Sequence, residues 1–333
     1  MRLSAFSIVD GFSPFHSEGR DRHREVIALA EAAEASGFHA LWVAEHHFQT
    51  GGVCPAPPIL LAACGARTSR LRLGAMVSVL PFHEPVALAE EYALLDRLVG
   101  GRLNLGVGSG YLALELEGFG VDPAGKRARF DRSLDTMLRA FAGEEVTVDR
   151  PGSRPVRINV RPMQTPHPPI WIAVQRREAL PFVAQRDVSV ALIPYATVGG
   201  IEELAAEIRE FRAHRPPGSR AEVAVGIHIY AGDRPDLARA ALQRYLDSRL
   251  ATHSTFYTEK VHRDPDHATA TAIERSGFAL FGSAREVTER LERFRQIGVD
   301  EVLGIFDFGG LGWDEVHGSV RALGAAWPAS GGP

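Results

Sequence analysis

The densest group of titratable side chains in the sequence is Glu45-His46-His47, which directly follows the apolar run 40–43. Histidine titrates near neutral pH and can act as a general acid or base. Because neighbouring residues of an extended chain point to opposite sides, we expect only one of the two histidines to face a site. The alternative interpretation is that both rings bind the backbone of their own loop.

A glycine-rich turn, Gly106-Val107-Gly108-Ser109-Gly110-Tyr111, follows another apolar run. Glycine allows the backbone to approach a ligand closely. The spacing differs from the G-x-G-x-x-G of dinucleotide sites, and no strand with an acidic end follows about 20 residues later. The turn is therefore either a platform for a flat cofactor or an ordinary tight turn.

Arginine residues at two positions are candidates for binding a phosphate. Arg127 begins a predicted helix, and Arg176-Arg177 follow a predicted strand. Guanidinium groups match phosphate oxygens, and helix N-termini attract anions. The alternative is that these side chains are solvated on the surface, where most arginines lie.

Two other chemistries are weighed and set aside. Glu45-His46-His47 and His83 could supply metal ligands, but H-E-x-x-H is absent and two adjacent histidines rarely bind one ion together. No G-x-S-x-G motif of a serine hydrolase occurs. We therefore predict no metal centre. Glu84 is expected to complement the N-terminus of the helix that begins at Pro85, and the role of His83 is left open.

The segments that must position these residues alternate between strands and helices. Apolar runs predict strands at residues 3–9, 40–43, 71–79, 103–107, 169–174, 188–193, 223–229 and 302–305. Helical spacing marks residues 22–36, 57–66, 85–99, 127–142, 178–186, 202–213, 235–250 and 313–323, and the capping box Ser283-x-x-Glu286 begins a helix that reaches Ile297.

Strands that are apolar throughout are buried on both faces, as in a parallel sheet covered by helices. The sequence therefore predicts an α/β fold, a single (β/α)₈ barrel over residues 1–333, with an open doubly wound sheet as the runner-up. Functional residues of such barrels lie at the carboxyl ends of the strands, where the predicted site residues also fall. Residues 146–160 are expected to form a surface hairpin, and the polar segment 252–275 a mobile loop that closes over the site.

Composition excludes several classes of protein. The chain has 333 residues with 37 Lys and Arg against 41 Asp and Glu, a net charge of −4, which argues against broad binding to nucleic acid or anionic lipid. No apolar run reaches the ~18–20 residues that span a bilayer, and the N-terminus lacks a signal-peptide pattern. Cys54 and Cys64 are the only cysteines, which fits a reducing compartment. We expect a cytoplasmic protein.

Four segments of the chain resemble the bacterial luciferase-like flavin-dependent monooxygenase family. They are residues 37–48, which carry Glu45-His46-His47, residues 73–81, residues 94–96 with 101–108, and residues 282–300. The resemblance implies a (β/α)₈ barrel that binds reduced FMN, or in one branch a deazaflavin, at its carboxyl-terminal mouth.

The resemblance also implies roles for individual residues. The catalytic histidine falls on His46, with Glu45 beside it. A non-proline cis peptide beneath the flavin falls at Met76-Val77, and the phosphate-binding arginine falls on Arg127. The resulting prediction is catalysis by His46 and Glu45, with cofactor binding by Met76, Val77, Gly108, Ser109, Tyr111, Arg127, Gln175 and Arg176.

Two positions depart from the family pattern. The reactive cysteine of the luciferases is replaced by Gly108, so we do not expect a light emitter of that type. The segment after the fifth strand usually offers Ser or Thr to the phosphate, whereas here it is Gln175-Arg176-Arg177. This second departure leaves the choice between FMN and a deazaflavin open.

The function implied by the resemblance is oxygenation of a small organic substrate, in secondary metabolism, by O2 and reduced FMN that a separate flavin reductase supplies. A homodimer is implied as well. Two alternatives stay open: a deazaflavin-dependent reductase or dehydrogenase, and a flavin-binding barrel without catalytic activity.

Overall fold

The computed structural model describes residues 1–11, 21–49, 51–148, 152–251, 261 and 268–327. The strands in this part of the chain are β1 (Arg2–Ser7), β2 (Ala40–Val43), β3 (Arg72–Val79), β4 (Leu103–Gly108), β5 (Ile170–Val174), β6 (Ser189–Leu192), β7 (Val223–Ala231), β8 (Ala279–Gly282) and β9 (Glu301–Ile305). The helices are α1 (Arg22–Ala35), α2 (Pro57–Arg67), α3 (Pro85–Leu98), α4 (Ala113–Gly118), α5 (Lys126–Phe141), α6 (Leu180–Gln185), α7 (Ile201–Ala213), α8 (Pro235–Ala251), α9 (Ala270–Ser276), α10 (Ala284–Gln296) and α11 (Trp313–Ala326).

The eight strands predicted from the sequence form a closed ring. Their hydrogen-bonded order is β1-β2-β3-β4-β5-β6-β7-β9, and β9 pairs back onto β1. All of these pairings are parallel. The ring confirms the predicted (β/α)₈ barrel and rules out the open sheet.

The amino-terminal end of the barrel is filled by side chains. Buried Glu301, the first residue of β9, accepts hydrogen bonds from the Ser4 hydroxyl at 2.7 Å and from the Trp42 indole at 2.9 Å. The Trp42 ring packs edge-on against Trp171 at 5.1 Å. A Cβ on Gly74 would lie 2.3 Å from the Trp42 ring, so this close approach requires glycine. The opposite end of the barrel is the one available for a ligand.

Helix ends follow the predicted chemistry. The capping box is present: the Ser283 side chain accepts from the Glu286 backbone N–H, and the Glu286 carboxylate accepts from the Ser283 N–H. The Glu84 carboxylate likewise accepts from the Ala87 N–H at 2.8 Å and caps α3. The predicted capping box is confirmed, and Glu84 lies at the N-terminus of α3 as expected.

Three elements were absent from the sequence prediction. Strand β8 lies outside the ring and, within the described ranges, pairs with His228–Ala231 of β7 alone. Helix α4 lies between the glycine turn and α5. Helix α9 replaces the end of the predicted polar loop 252–275, because the Thr269 side chain caps it and its Ala270 and Ile273 are buried. The rest of that loop, residues 252–260 and 262–267, lies outside the described residues.

The predicted hairpin at 146–160 is confirmed at one pair. Val146 and Val156 exchange both backbone hydrogen bonds, at 2.9 and 2.8 Å. Residues 149–151 lie outside the described ranges. Among the helices of the described chain, none is long and apolar enough to cross a membrane.

Candidate active site

A cavity of about 340 Å³ opens where the carboxyl ends of the ring strands meet. All ten residues predicted for the site border it: Glu45, His46, Met76, Val77, Gly108, Ser109, Tyr111, Arg127, Gln175 and Arg176. The third candidate arginine, Arg177, is not among the residues that border the cavity and instead forms an ion pair with Glu210 at 2.5 Å. Residues that the sequence prediction missed also line the cavity, among them Glu115, Lys126, Tyr195, Tyr245 and Arg249.

His46 lies just beyond β2, and its ring is held by a carboxylate. Its Nδ1 atom is 3.0 Å from Oε1 of Glu115, and the same oxygen accepts the His47 backbone N–H at 2.9 Å. Both side chains are buried. A carboxylate acceptor places a hydrogen on Nδ1, so the neutral ring carries its lone pair on Nε2. His46 is therefore oriented so that Nε2 is the atom able to exchange a proton.

Glu115 is the functional residue that sequence reasoning missed most clearly. It lies on α4, and its carboxylate is only 2% exposed. One sequence signal could have pointed to Glu115. Leu112, Leu116 and Phe119 have the spacing of an apolar helix face, and Glu115 lies next to that face. The short length of α4 and the glycines around it hid that signal.

Glu45 is bound entirely by neighbouring protein groups. Its Oε1 accepts from Nε2 of His47 at 3.0 Å and Nε2 of His83 at 2.8 Å. Its Oε2 accepts from the Ser78 hydroxyl at 3.1 Å and the Val79 N–H at 3.0 Å. The carboxylate thus ties the loop after β2 to the end of β3.

The charges of this cluster follow from its contacts. Burial alone would raise the pKa of Glu45, but the hydrogen bonds from His47 and His83, the charge of His83 and the Val79 N–H lower it to about 2. Burial would lower the pKa of His83, and the hydrogen bond and charge of Glu45 raise it instead. These shifts favour an ionised Glu45 carboxylate paired with a protonated His83 imidazole.

The side chains of Glu45, His47 and His83 also form a donor set that could hold a metal ion, with ligand atoms within 4.8 Å of one another. In this geometry the two imidazole Nε2 atoms hydrogen-bond to a single carboxylate oxygen. His46, a candidate metal ligand in the sequence analysis, does not belong to this donor set and instead contacts Glu115. His47 packs its ring against Phe119 at 4.7 Å, outside the cavity lining.

The floor of the cavity is made by β3 and β4. The Met76–Val77 peptide is cis, as the resemblance implies, and the β3–β4 register shifts between Ala75 and Ser78. A Cβ on Gly108 would lie 2.7 Å from Cγ2 of Val77. Glycine at this position leaves a flat surface beside Val77 that any other side chain would fill.

Three cationic side chains border the cavity, and we call them the cation cluster: Lys126, Arg127 and Arg176. Lys126 donates to the Gly110 carbonyl at 2.7 Å, and burial and the charge of Arg176 lower its pKa. Arg127 lies over the Phe182 ring at 4.0 Å and pairs with Asp131 at 3.0 Å. Cationic side chains that border one cavity favour an anion there. A flat surface in a cavity bordered by cations fits a flavin whose side chain carries a phosphate.

Comparison with known proteins agrees with this fit. The family model described as luciferase-like monooxygenase matches residues 1–301. The oxygenase component of a flavin-dependent trigonelline monooxygenase from Acinetobacter baylyi is 25% identical over 321 residues, 90% of this chain and 88% of that protein. In three other curated relatives the match spans 57%, 46% and 37% of their length.

Solved structures share the fold. The monooxygenase RslO1 from Streptomyces bottropensis is 25% identical with a TM-score of 0.78, over 98% of both chains. An F420-dependent secondary alcohol dehydrogenase has the same fold at 16% identity, with a TM-score of 0.73 over 98% of both chains. From the family match, the closed barrel and the geometry of its mouth, we conclude that the chain belongs to the luciferase-like monooxygenase family.

Proposed function

We propose that the chain is the oxygenase component of a two-component flavin-dependent monooxygenase. It would take reduced FMN from a separate reductase and use O2 to oxygenate a small organic substrate. The observation that carries the proposal is the buried His46–Glu115 pair in one cavity with the Gly108 platform and the cation cluster. The A. baylyi relative named as an oxygenase component supports the reductase partner.

A bound reduced flavin supplies the electrons that activate O2. His46 would exchange a proton with substrate or oxygen at Nε2, while Glu115 holds Nδ1–H and stabilises the charged ring. Glu45 acts as a positioning residue, because its carboxylate keeps His47 and His83 in place. The predicted catalytic role thus stays with His46, and Glu45 supports the loop that carries it.

The remaining predicted residues would hold the cofactor. Met76, Val77 and Gly108 form the surface against which the ring would lie, and Ser109 and Gln175 border it. Lys126, Arg127 and Arg176 would bind the phosphate. Lys126 therefore joins the set of phosphate-binding residues predicted from the sequence.

The test is an anaerobic titration of the full chain with reduced FMN and with reduced F420, followed by admission of O2. We expect FMN to bind more tightly than F420 and its reoxidation to change when the protein is present. Tighter binding of F420, with hydride transfer to an organic acceptor in the absence of O2, would contradict the proposal. It would support the deazaflavin-dependent alternative, since an F420-dependent dehydrogenase has the same fold.

A homodimer remains part of the proposal. Ile59 on α2 is 74% exposed and Leu98 on α3 is 65% exposed, and the two helices pack against each other. Large exposed apolar side chains on adjacent helices are typical of an interface. Light scattering coupled to gel filtration should give twice the chain mass of 36.2 kDa. A cytoplasmic location and a substrate from secondary metabolism stay predictions.

A further inference from the structure

Two loops bring one carboxylate and two imidazoles together beside the cavity. Oε1 of Glu45 lies 3.0 Å from Nε2 of His47 and 2.8 Å from Nε2 of His83, and the donor atoms of the three residues all lie within 4.8 Å of one another. In the described part of the chain this is the one group of three histidine, cysteine or acidic side chains with such spacing. Glu45 borders the cavity, whereas His47 and His83 are not among the residues that line it.

The adjacency of His46 and His47 does not count against an ion at this group. Nδ1 of His46 contacts Glu115 at 3.0 Å, so only one histidine of the adjacent pair takes part. The second imidazole comes from His83, which directly follows the turn Leu80–Phe82 at the end of β3. The donor atoms therefore belong to two separate loops, which a single ion could link.

Neighbouring groups hold the donor side chains in place. Oε2 of Glu45 accepts hydrogen bonds from the Ser78 hydroxyl at 3.1 Å and from the Val79 N–H at 3.0 Å, which leaves Oε1 directed at the imidazoles. The His47 ring packs edge-on against Phe119 at 4.7 Å. Hydrogen bonds to the far oxygen of a carboxylate and packing around an imidazole orient metal ligands before the ion arrives.

The distances are close to those of a tetrahedral site. Ligand atoms about 2.0–2.1 Å from a Zn²⁺ ion lie about 3.3 Å from one another, so the two contacts of Glu45 would open by only about 0.3–0.5 Å. The Glu45 side chain is fully buried, and that of His83 is 24% exposed. Solvent can therefore reach the group on the His83 side and supply a further ligand.

We propose that Glu45, His47 and His83 bind one Zn²⁺ ion, with water as the fourth ligand. Each imidazole would coordinate through Nε2 with its hydrogen on Nδ1, and Glu45 through Oε1. Two nitrogen donors and one oxygen suit Zn²⁺, whereas Mg²⁺ and Ca²⁺ prefer oxygen donors alone. The ion would fasten the loop that carries His46 to the end of β3. This inference goes beyond the proposed oxygenase function and does not rest on it.

The test is calorimetry on the untagged full chain, stripped of metal with a chelator and free of flavin. We expect one Zn²⁺ to bind per chain and Mg²⁺ at the same concentration not to bind. His83→Ala should weaken Zn²⁺ binding by at least ~10-fold, since even the loss of a group that only orients a ligand costs 10- to 100-fold. Absence of Zn²⁺ binding by the wild type, or equal affinity in a folded His83→Ala variant, would overturn the inference.

A matched control variant makes the assignment specific. His214→Ala is the same substitution at an exposed histidine, directly after α7, and should leave the affinity for Zn²⁺ unchanged. Zn²⁺ should also raise the melting temperature of the wild type and of His214→Ala, but not that of His83→Ala. Equal losses of affinity in the two variants would overturn the inference.

X-ray absorption at the zinc edge of the wild-type protein gives a readout that needs no variant. We expect two imidazoles among nitrogen and oxygen ligands at about 2.0–2.1 Å. A sulfur ligand, which would indicate the buried Cys54 or Cys64, or any other number of imidazoles would overturn the assignment.

The outcomes also separate this inference from the proposed function. Zn²⁺ binding at these residues in a protein that has no effect on FMN reoxidation would contradict the monooxygenase proposal alone. Oxygenation by a protein that binds no Zn²⁺ would overturn the zinc site alone.

Discussion

Replacement of Glu45 by glutamine should destabilise the loops that build the site. A pKa lowered from 4.5 to about 2 corresponds to roughly 3.5 kcal/mol of preference for the charged carboxylate, at ~1.4 kcal/mol per pH unit. The glutamine amide would also bring N–H donors against the donors that now face the carboxylate. We expect Glu45→Gln to lower the free energy of unfolding at pH 5.5 by about 2–4 kcal/mol.

The pH dependence of this stability difference follows from the shifted pKa values of Glu45 and His83. The contribution of Glu45, whose pKa is lowered, is fully present above pH 4.5 and is lost as the pH falls through about 2. The contribution of His83, whose pKa is raised, is fully present below pH 6.5 and is lost as the pH rises through its folded value. The difference between wild type and Glu45→Gln should therefore be largest between about pH 4.5 and 6.5.

Urea unfolding followed by circular dichroism at pH 3, 5.5 and 8.5 measures this difference. The matched control is Glu117→Gln, the same substitution at an exposed position of α4, which should change the free energy of unfolding by less than ~0.5 kcal/mol. The reasoning is refuted if both variants unfold alike at pH 5.5. It is also refuted if the cost of Glu45→Gln at pH 3 and at pH 8.5 is as large as at pH 5.5.

Four other predictions concern the site. Histidine ¹⁵N NMR should show the ring hydrogen of neutral His46 on Nδ1, and Glu115→Ala should shift this hydrogen toward Nε2. An Nε2–H tautomer in the wild type would contradict the proposed orientation. His46→Gln should keep the melting temperature and flavin binding but lower oxygenation by at least ~100-fold, measured as product formed per FMN oxidised; full activity would remove His46 from the mechanism. Gly108→Val should weaken FMN binding by at least ~10-fold, measured by flavin fluorescence, because its Cβ would crowd Val77. Arg176→Met should weaken FMN but leave riboflavin unchanged, and an equal loss for both would show that Arg176 does not bind the phosphate.

The proposed function assigns flavin placement and proton transfer to separate parts of the barrel mouth. The surface for the ring would come from neighbouring strands, β3 and β4, where Gly108 leaves Val77 uncovered. Proton transfer would depend on His46 and its partner Glu115, which comes from a short helix that covers the loop after β2. Substitutions in one part should therefore change flavin affinity and those in the other should change turnover.

The sequence by itself determined the barrel and the position of the site. Runs such as 40–43 and 302–305 are apolar without alternation, which indicates burial on both faces, and parallel strands gather their carboxyl ends at one rim. This local periodicity was enough to bring Glu45-His46, the Gly108 turn and Arg176 to one cavity.

Only the tertiary structure decided which groups face each other there. The choice of His46 over His47 depends on Glu115, 69 residues away in the chain, and the clamp on Glu45 depends on His83. Arg249 reaches Tyr111 from a helix 138 residues away. Such pairings leave no periodic signal, because they arise from side-chain packing between elements whose relative positions are set only when the ring of strands closes.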